Sequence, residues 1–334
     1  MKAIVTPGPR AISDPAALVE IDAPEPTPRP RDLLVEIRAV ALNPIDFKVR
    51  RTREPGHGVP DILGYDAAGI VTAVGPEASL FKVGDEVFYA GQINRPGSNA
   101  ERQAVDERIV GPKPRSLDFA QAAALPLTSL TAWELLFDRM RAGADEDETL
   151  LVVGGAGGVG SAMIQIARAK TRLRVVATAS RPETRAWSIG LGAHAVIDHS
   201  GPLDEALTAA RERAPKYIAS LTQTPRHFEA LIRAVAPQGT IGVIDDLPPG
   251  PIDGLKSKSV GLAFESMFTR SVQGTPDMIR QHEILTEVAA LVDAGRLRTT
   301  LTEVLGPLSA ETLREGHRRL ESGTTIGKLA LTGF

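Results

Sequence analysis

The chain has no cysteine among its 334 residues. Disulfides, thiolate metal sites and a cysteine nucleophile are excluded together by that absence. Aromatic residues make up only 4%, and none interleave with a basic stripe. The formal charge is −3, from 38 Lys and Arg against 41 Asp and Glu, so the basic field that drives nucleic-acid binding is missing. No apolar run approaches the roughly 18–20 residues that span a bilayer. The N-terminal MKAIVTPGPR has no apolar signal-peptide stretch. The expectation is a soluble cytoplasmic protein with no nucleic-acid or membrane partner. The six histidines are scattered, without H-x-x-H or H-E-x-x-H spacing. Gly97-Ser98 is not part of a G-x-S-x-G elbow, and no Walker A string occurs.

What is present is centred on residues 149–200. Thr149–Val153 is a short apolar run of strand character, followed by Gly155, Gly157 and Gly160 in G-x-G-x-x-G spacing. A helix expected over about 161–170 turns Met163, Ile164, Ile166 and Ala167 to a core, and Arg174–Thr178 is the next strand. One glycine permits the tight turn, one lets backbone approach a pyrophosphate, and one lets helix and strand pack closely. Backbone N–H groups at the helix start, including those of Gly158 and Val159, then hold phosphate. A glycine-rich turn without a ligand is the bland alternative, but strand before and helix after is the confirming context.

A length of 334 residues suits two domains. The N-terminal part reads as short strands: Lys2–Thr6, Leu18–Ile21, Asp32–Ala41, Gly64–Val74, 80–91 and 99–105. Asp32–Ala41 alternates as a half-buried strand should, and Asn43-Pro44 signals a turn. This Gly-rich succession suggests a small irregular β-barrel. Helical periodicity begins near Asp118. Beyond residue 200 come a helix at 202–213, a strand at Lys216–Leu221, a helix at 225–235, and strands at Thr240–Asp245 and Ser259–Met267. Pro248–Pro251 reads as a surface loop. The alternation predicts an α/β fold with a doubly wound parallel sheet. Further helices are expected at 276–294 and 309–322, the latter capped by Ser309, before a last strand at Gly327–Thr332.

An NAD site usually carries an acid about 20 residues past the glycines. No acid lies between Thr171 and Pro182; the second strand ends instead in Thr178-Ala179-Ser180-Arg181. A hydroxyl and a guanidinium suit a 2′-phosphate, so the expected cofactor is NADPH. His199, past the third strand, is a further candidate for the phosphate or else a solvated loop residue, and Leu221 joins the cofactor-binding candidates at its strand end.

Several strings resemble the medium-chain dehydrogenase/reductase superfamily: ALNPIDFKVR (41–50), GYDAAGIVTAVGPEASLFKVGDEVFYAG (64–91), the stretch 95–140, GGAGGVGS (154–161), ATASRPETRAW (177–187), FESMFTRS (264–271) and LVDAGRLRTTL (291–301). Within it the chain is most similar to the zinc-free quinone oxidoreductase branch and the group called zinc-type alcohol dehydrogenase-like. The resemblance implies a GroES-like β-barrel catalytic domain at 1–125, completed by 273–334, and a Rossmann NADPH-binding domain at 126–272, with the active site in the cleft. It implies homodimers or homotetramers, often joined through the last Rossmann strand.

The resemblance also shows where this chain departs from zinc relatives. The positions of the three catalytic ligands fall at Asn43, Tyr65 and near Leu125, and the four-cysteine structural lobe is missing. A catalytic zinc needs three protein ligands, so no metal is expected. Without a Lewis acid, alcohol oxidation gives way to reduction of an acceptor that already delocalises charge, a quinone or an α,β-unsaturated carbonyl. Asn43 is the first catalytic candidate, its amide holding the nicotinamide ribose or the substrate oxygen; it also reads as an Asn-Pro turn former. Tyr65 is either a hydrogen-bond donor or a packed wall. Asp46 is expected to orient a neighbour, Arg50 or a backbone N–H. Thr131, or alternatively Thr128, is placed near the nicotinamide amide. Phe264 and Met267 line the cleft or pack in a core or dimer, and Lys328 matches a common C-terminal TGK. The rival readings are a true zinc alcohol dehydrogenase and a non-enzymatic NADPH-binding protein.

Overall fold

The computed structural model describes residues 1–54, 61–247 and 252–334; the loop expected at Pro248–Pro251 lies outside them. Two compact units emerge, Met1–Leu127 with Phe268–Phe334, and Thr128–Met267. The strands in chain order are β1 (Lys2–Val5), β2 (Val19–Asp22), β3 (Asp32–Ala41), β4 (Ala67–Val74), β5 (Glu86–Tyr89), β6 (Arg102–Asp106) and β7 (Val110–Pro112). There follow β8 (Thr149–Val153), β9 (Arg174–Thr178), β10 (Ala195–Ile197), β11 (Tyr217–Ser220), β12 (Thr240–Val243), β13 (Gly261–Phe264), β14 (Leu301–Pro307) and β15 (Lys328–Thr332). No helix among the described residues is long and apolar enough to cross a membrane.

In the first unit, a seven-stranded sheet runs β14-β15-β3-β4-β5-β7, and β6 also pairs with β3. β3 is its spine. One edge pairs with β4 from Leu33 to Val40; the other takes β6 over Asp32–Glu36 and β15 over Ala39–Ala41. The alternation read in β3 holds only in its middle, where Glu36 is half-buried and Arg38 exposed; both ends are buried on both faces because further strands and helices cover them. Leu33, Val35, Ile37, Val71, Val87 and Leu331 share one core with Leu313 of the C-terminal helix Ala310–Glu321. Each such side chain is worth about 1.5–3 kcal/mol of burial. Ser309 caps that helix as expected, its hydroxyl accepting the Thr312 N–H at 3.1 Å.

Asn43-Pro44 is not a free turn. Asn43 is the N-cap of a helix, Pro44–Thr52. Proline suits that place, because its absent N–H would have no acceptor in the first turn. The helix expected from 276 begins at Arg280, and the last Rossmann strand is shorter than the apolar run suggested, four residues instead of 259–267.

The second unit holds a six-stranded, all-parallel sheet in the order β10-β9-β8-β11-β12-β13. All five residues of β8 are buried, as befits a central strand covered on both faces. The order steps outward from β8 in both directions, which is the doubly wound arrangement. Helical residues 126–133 run on into π-turns at Glu134–Arg139, where the Met140 N–H reaches back to Leu135 O at 2.9 Å. Such a widened turn was not legible as a helical period, since it adds one residue to a single turn.

Candidate functional site

In the second unit, the glycine turn follows β8. Gly154 has φ +84°, a left-handed conformation that glycine takes without strain. Its N–H donates to Thr178 Oγ1 at 3.0 Å, and the Gly155 N–H donates to Thr178 O at 3.2 Å. A Cβ on Gly155 would sit 2.7 Å from Ala177 Cβ, and one on Gly160 would sit 2.2 Å from Gly154 O. These two glycines serve packing. A Cβ on Gly157 would meet only Gly154 O, at an ordinary 3.5 Å. Packing within the unit therefore does not require glycine at 157, and its backbone stands open to close approach. It caps the helix Gly158–Lys170, whose first intrahelical bond from this cap is Ser161 N–H to Gly157 O at 2.8 Å. The N–H groups of Gly158, Val159 and Gly160 precede that bond and have no acceptor within the helix. The set fits a dinucleotide pyrophosphate.

Ser180 is exposed one residue beyond the buried Ala179, past the end of β9. Arg181 follows as N-cap of the helix Pro182–Gly190; its guanidinium is partly exposed and pairs with Glu183 at 3.3 Å. His199 Nδ1 lies 3.1 Å from Thr178 Oγ1, the hydroxyl that accepts the Gly154 N–H. The ring thus braces the glycine turn through Thr178, and burial lowers its basicity. Thr178 was missed as a functional residue; a hydroxyl at the strand end beside the glycine turn was the available signal. Leu221 is half-buried just past β11, and Thr128 and Thr131 are buried on the helix Pro126–Trp133.

In the first unit, the chain gathers a buried polar cluster from four remote stretches. Lys328 Nζ donates to Leu42 O at 2.6 Å, Asn43 Oδ1 at 2.6 Å and Asp66 Oδ2 at 2.9 Å. Asn43 Nδ2 donates to Asp66 Oδ2 at 2.8 Å and towards Tyr65 O at 3.4 Å. Asp66 Oδ1 accepts the Leu127 N–H at 2.8 Å. Burial pushes the Asp66 carboxyl up, while Lys328, the Asn43 amide and the Leu127 N–H pull it back. Both ends of the Asn43 amide are therefore engaged inside the unit, and the side chain is buried. The contacts make it a strut of this cluster; both Nδ2 hydrogens are spent, so donating to a substrate oxygen would require releasing one, while Oδ1 keeps a second lone pair that a ribose hydroxyl could reach only if the buried side chain were uncovered.

Asp46 Oδ2 accepts the Asn43 N–H at 2.7 Å, so its orienting role goes to a backbone N–H and not to Arg50. Burial raises its carboxyl to about 7, against the pull of that N–H and of Lys328. Arg50, buried, turns the other way, to His317 Nδ1 at 3.3 Å, to Arg10 O and to Glu321. Gly64, at φ +111°, precedes Tyr65; a Cβ there would lie 2.5 Å from Ser98 Oγ. Tyr65 is buried, edge-on to Phe268 at 5.5 Å between ring centroids, and its Oη has no hydrogen-bond acceptor, with the Arg53 guanidinium beside it. Burial holds its phenol above the ordinary range, so the proton stays on. Met267 is buried, whereas Phe264 is 58% exposed on the outermost strand β13.

These residues do not fit zinc. Asn43 is occupied by Lys328 and Asp66, Tyr65 is a protonated phenol, and Leu125 has no donor atom. Among the described residues no group of three His, Asp or Glu is placed to hold a metal.

Comparison with known proteins matches residues 29–115 to the alcohol dehydrogenase GroES-like domain and residues 191–331 to the zinc-binding dehydrogenase family. A zinc-type alcohol dehydrogenase-like protein of Staphylococcus epidermidis is 38% identical, over 92% of this chain and 92% of its own. A 2-methylene-furan-3-one reductase of Solanum lycopersicum is 31% identical over 90% of this chain and 71% of its own. Among solved structures, a putative zinc-dependent alcohol dehydrogenase from Rhizobium etli CFN 42 has 52% identity and a TM-score of 0.96, covering 100% of this chain and 98% of its own. With a GroES-like unit, a parallel Rossmann sheet behind a glycine turn, and relatives matching along nearly its whole length, the chain belongs to the medium-chain dehydrogenase/reductase superfamily and is an oxidoreductase of that type.

Proposed function

We propose that the protein is an NADPH-dependent, zinc-independent oxidoreductase that reduces a quinone or an α,β-unsaturated carbonyl. The observation that carries this reading is the buried cluster of Asn43, Asp66 and Lys328, which puts an ammonium among the acceptors and leaves no metal ligand set. A reaction suited to such a site needs no Lewis acid. Conjugated acceptors meet that condition, because the charge that arrives with hydride is spread over the acceptor itself. The tomato relative, named for reduction of a 2-methylene-furan-3-one, supports the same class.

Gly157 and the N–H groups of Gly158, Val159 and Gly160 would hold the pyrophosphate, and Ser180 and Arg181 the 2′-phosphate. NADPH, when bound, supplies the hydride. Tyr65 keeps its proton, and its Oη, with the Arg53 guanidinium beside it, has no acceptor for that proton, which suits it to donate a hydrogen bond to the acceptor oxygen as charge develops there. Asn43 and Asp46 hold the backbone around that residue and the start of the helix Pro44–Thr52. Assembly into a homodimer or homotetramer is part of the proposal.

The test is direct. The purified protein is mixed with NADPH and a panel of quinones, enones and simple alcohols with NADP⁺, and nicotinamide absorbance is followed before and after dialysis against a chelator. Turnover of quinones or enones that survives the chelator is expected. Tight NADPH binding with no turnover of any acceptor would point to a binding protein, and chelator-sensitive alcohol oxidation would revive the zinc enzyme.

A further inference from the structure

We propose that Lys328 is a built-in cation that positions the Tyr65–Asp66 segment of the first unit through Asn43 and Asp66. An ammonium has three N–H donors and no acceptor. Lys328 spends them on three oxygens, Leu42 O, Asn43 Oδ1 and Asp66 Oδ2, at 2.6, 2.6 and 2.9 Å. Its side chain is 3% exposed and that of Asp66 is fully buried. A single positive charge matches the single carboxylate it touches.

The ammonium also decides which way Asn43 faces. With Oδ1 turned to Lys328, Nδ2 must face Asp66 Oδ2 at 2.8 Å and Tyr65 O at 3.4 Å. Asp66, held by Lys328 and Asn43, keeps its other oxygen on the Leu127 N–H. The segment is thus clamped from both sides by a residue 262 positions away in the chain. Lys328 is a positioning residue: it acts through Asn43 and Asp66. This positioning is the same whichever acceptor is reduced, and a melting temperature reads it apart from turnover.

The experiment uses the full chain carrying Lys328→Ala, which deletes three methylenes and the ammonium. Leaving Asp66 buried without its partner is expected to lower Tm by roughly 10 °C. Added n-propylammonium, the deleted fragment, is expected to restore at least half of the loss. Tetramethylammonium at the same concentration, a cation without N–H donors, is expected to restore none, and Zn²⁺ likewise none. Equal effects of the two ammonium ions, or recovery with Zn²⁺, would overturn the proposal. Where the alanine variant does not fold, Lys328→Met is compared with Lys328→Met/Asp66→Asn. If the lysine acts as a counter-ion, the double variant melts higher than the single one; if it melts no higher, the charge has no such role.

Discussion

Arg181→Ala isolates the group that distinguishes the two nicotinamide dinucleotides in the proposed cofactor site. The guanidinium is 41% exposed and already paired with Glu183 at 3.3 Å. A hydrogen bond to a charged partner contributes about 1.5–3 kcal/mol. The Glu183 contact must be given up or shared, and an exposed pair of that kind is worth about 0.2–1 kcal/mol. The net contribution to binding the 2′-phosphate is then about 0.5–3 kcal/mol, or roughly 2–100-fold in Kd. NADH has no 2′-phosphate and should bind the variant as it binds the parent. Titration of both dinucleotides, followed by nicotinamide fluorescence at low and at high salt, reads the difference. Screening should shrink the NADPH effect at high salt. An equal loss for NADPH and NADH, or no loss for either, refutes the assignment. Glu183→Gln should act in the opposite direction, tightening NADPH about twofold by removing the competing carboxylate.

Gly157→Ala and Gly160→Ala should behave differently although both lie in one motif. At Gly160 the new methyl meets Gly154 O at 2.2 Å, so stability should fall by about 1–3 kcal/mol in denaturant titrations. At Gly157 the contact is an ordinary 3.5 Å, so the fold should persist while NADPH affinity drops. Tyr65→Phe should lower kcat with the best quinone or enone by roughly 100-fold and leave NADPH affinity unchanged, if the phenol donates to the acceptor oxygen; unchanged kcat would make it a wall residue. Burial and the neighbouring Glu134 raise the Glu265 carboxyl from 4.5 to about 8, with Arg139 pulling back at 2.7 Å. Between those values the folded chain holds a proton that the unfolded chain has lost, so stability should decline as pH rises through that window and level off above it. Glu265→Gln should flatten this decline in melting curves; an unaltered slope would assign it to other groups.

Much of the second unit was legible because its signals are local. β8, the glycine spacing and the following helix lie within about one βα unit, and the exclusion of acids between Thr171 and Pro182 needs only reading. The helix start at Gly158 was placed three residues late, since glycines hide helical propensity. The first unit was harder. Asn43-Pro44 carries turn chemistry and N-cap chemistry alike; Asp46, accepting the Asn43 N–H, and the docking of Arg50 against the C-terminal helix favour the helix. The partners of Asp66 and the π-turn that brings Glu134 and Arg139 to Glu265 have no sequence period at all.

By itself, then, the sequence determined what the chain cannot do with sulfur, where its dinucleotide turn lies, and that the usual zinc ligands are replaced. Those are matters of residue identity and short-range spacing. Only the tertiary structure decided what stands among the replacements. Asn43 and Lys328 are 285 residues apart, yet they meet at 2.6 Å because β15 pairs with the end of β3. The same holds for Thr178, which gains its role when parallel pairing sets β9 beside β8, so that its hydroxyl meets Gly154. A buried ammonium or hydroxyl must find its acceptors wherever the chain brings them, and no local pattern records where that is.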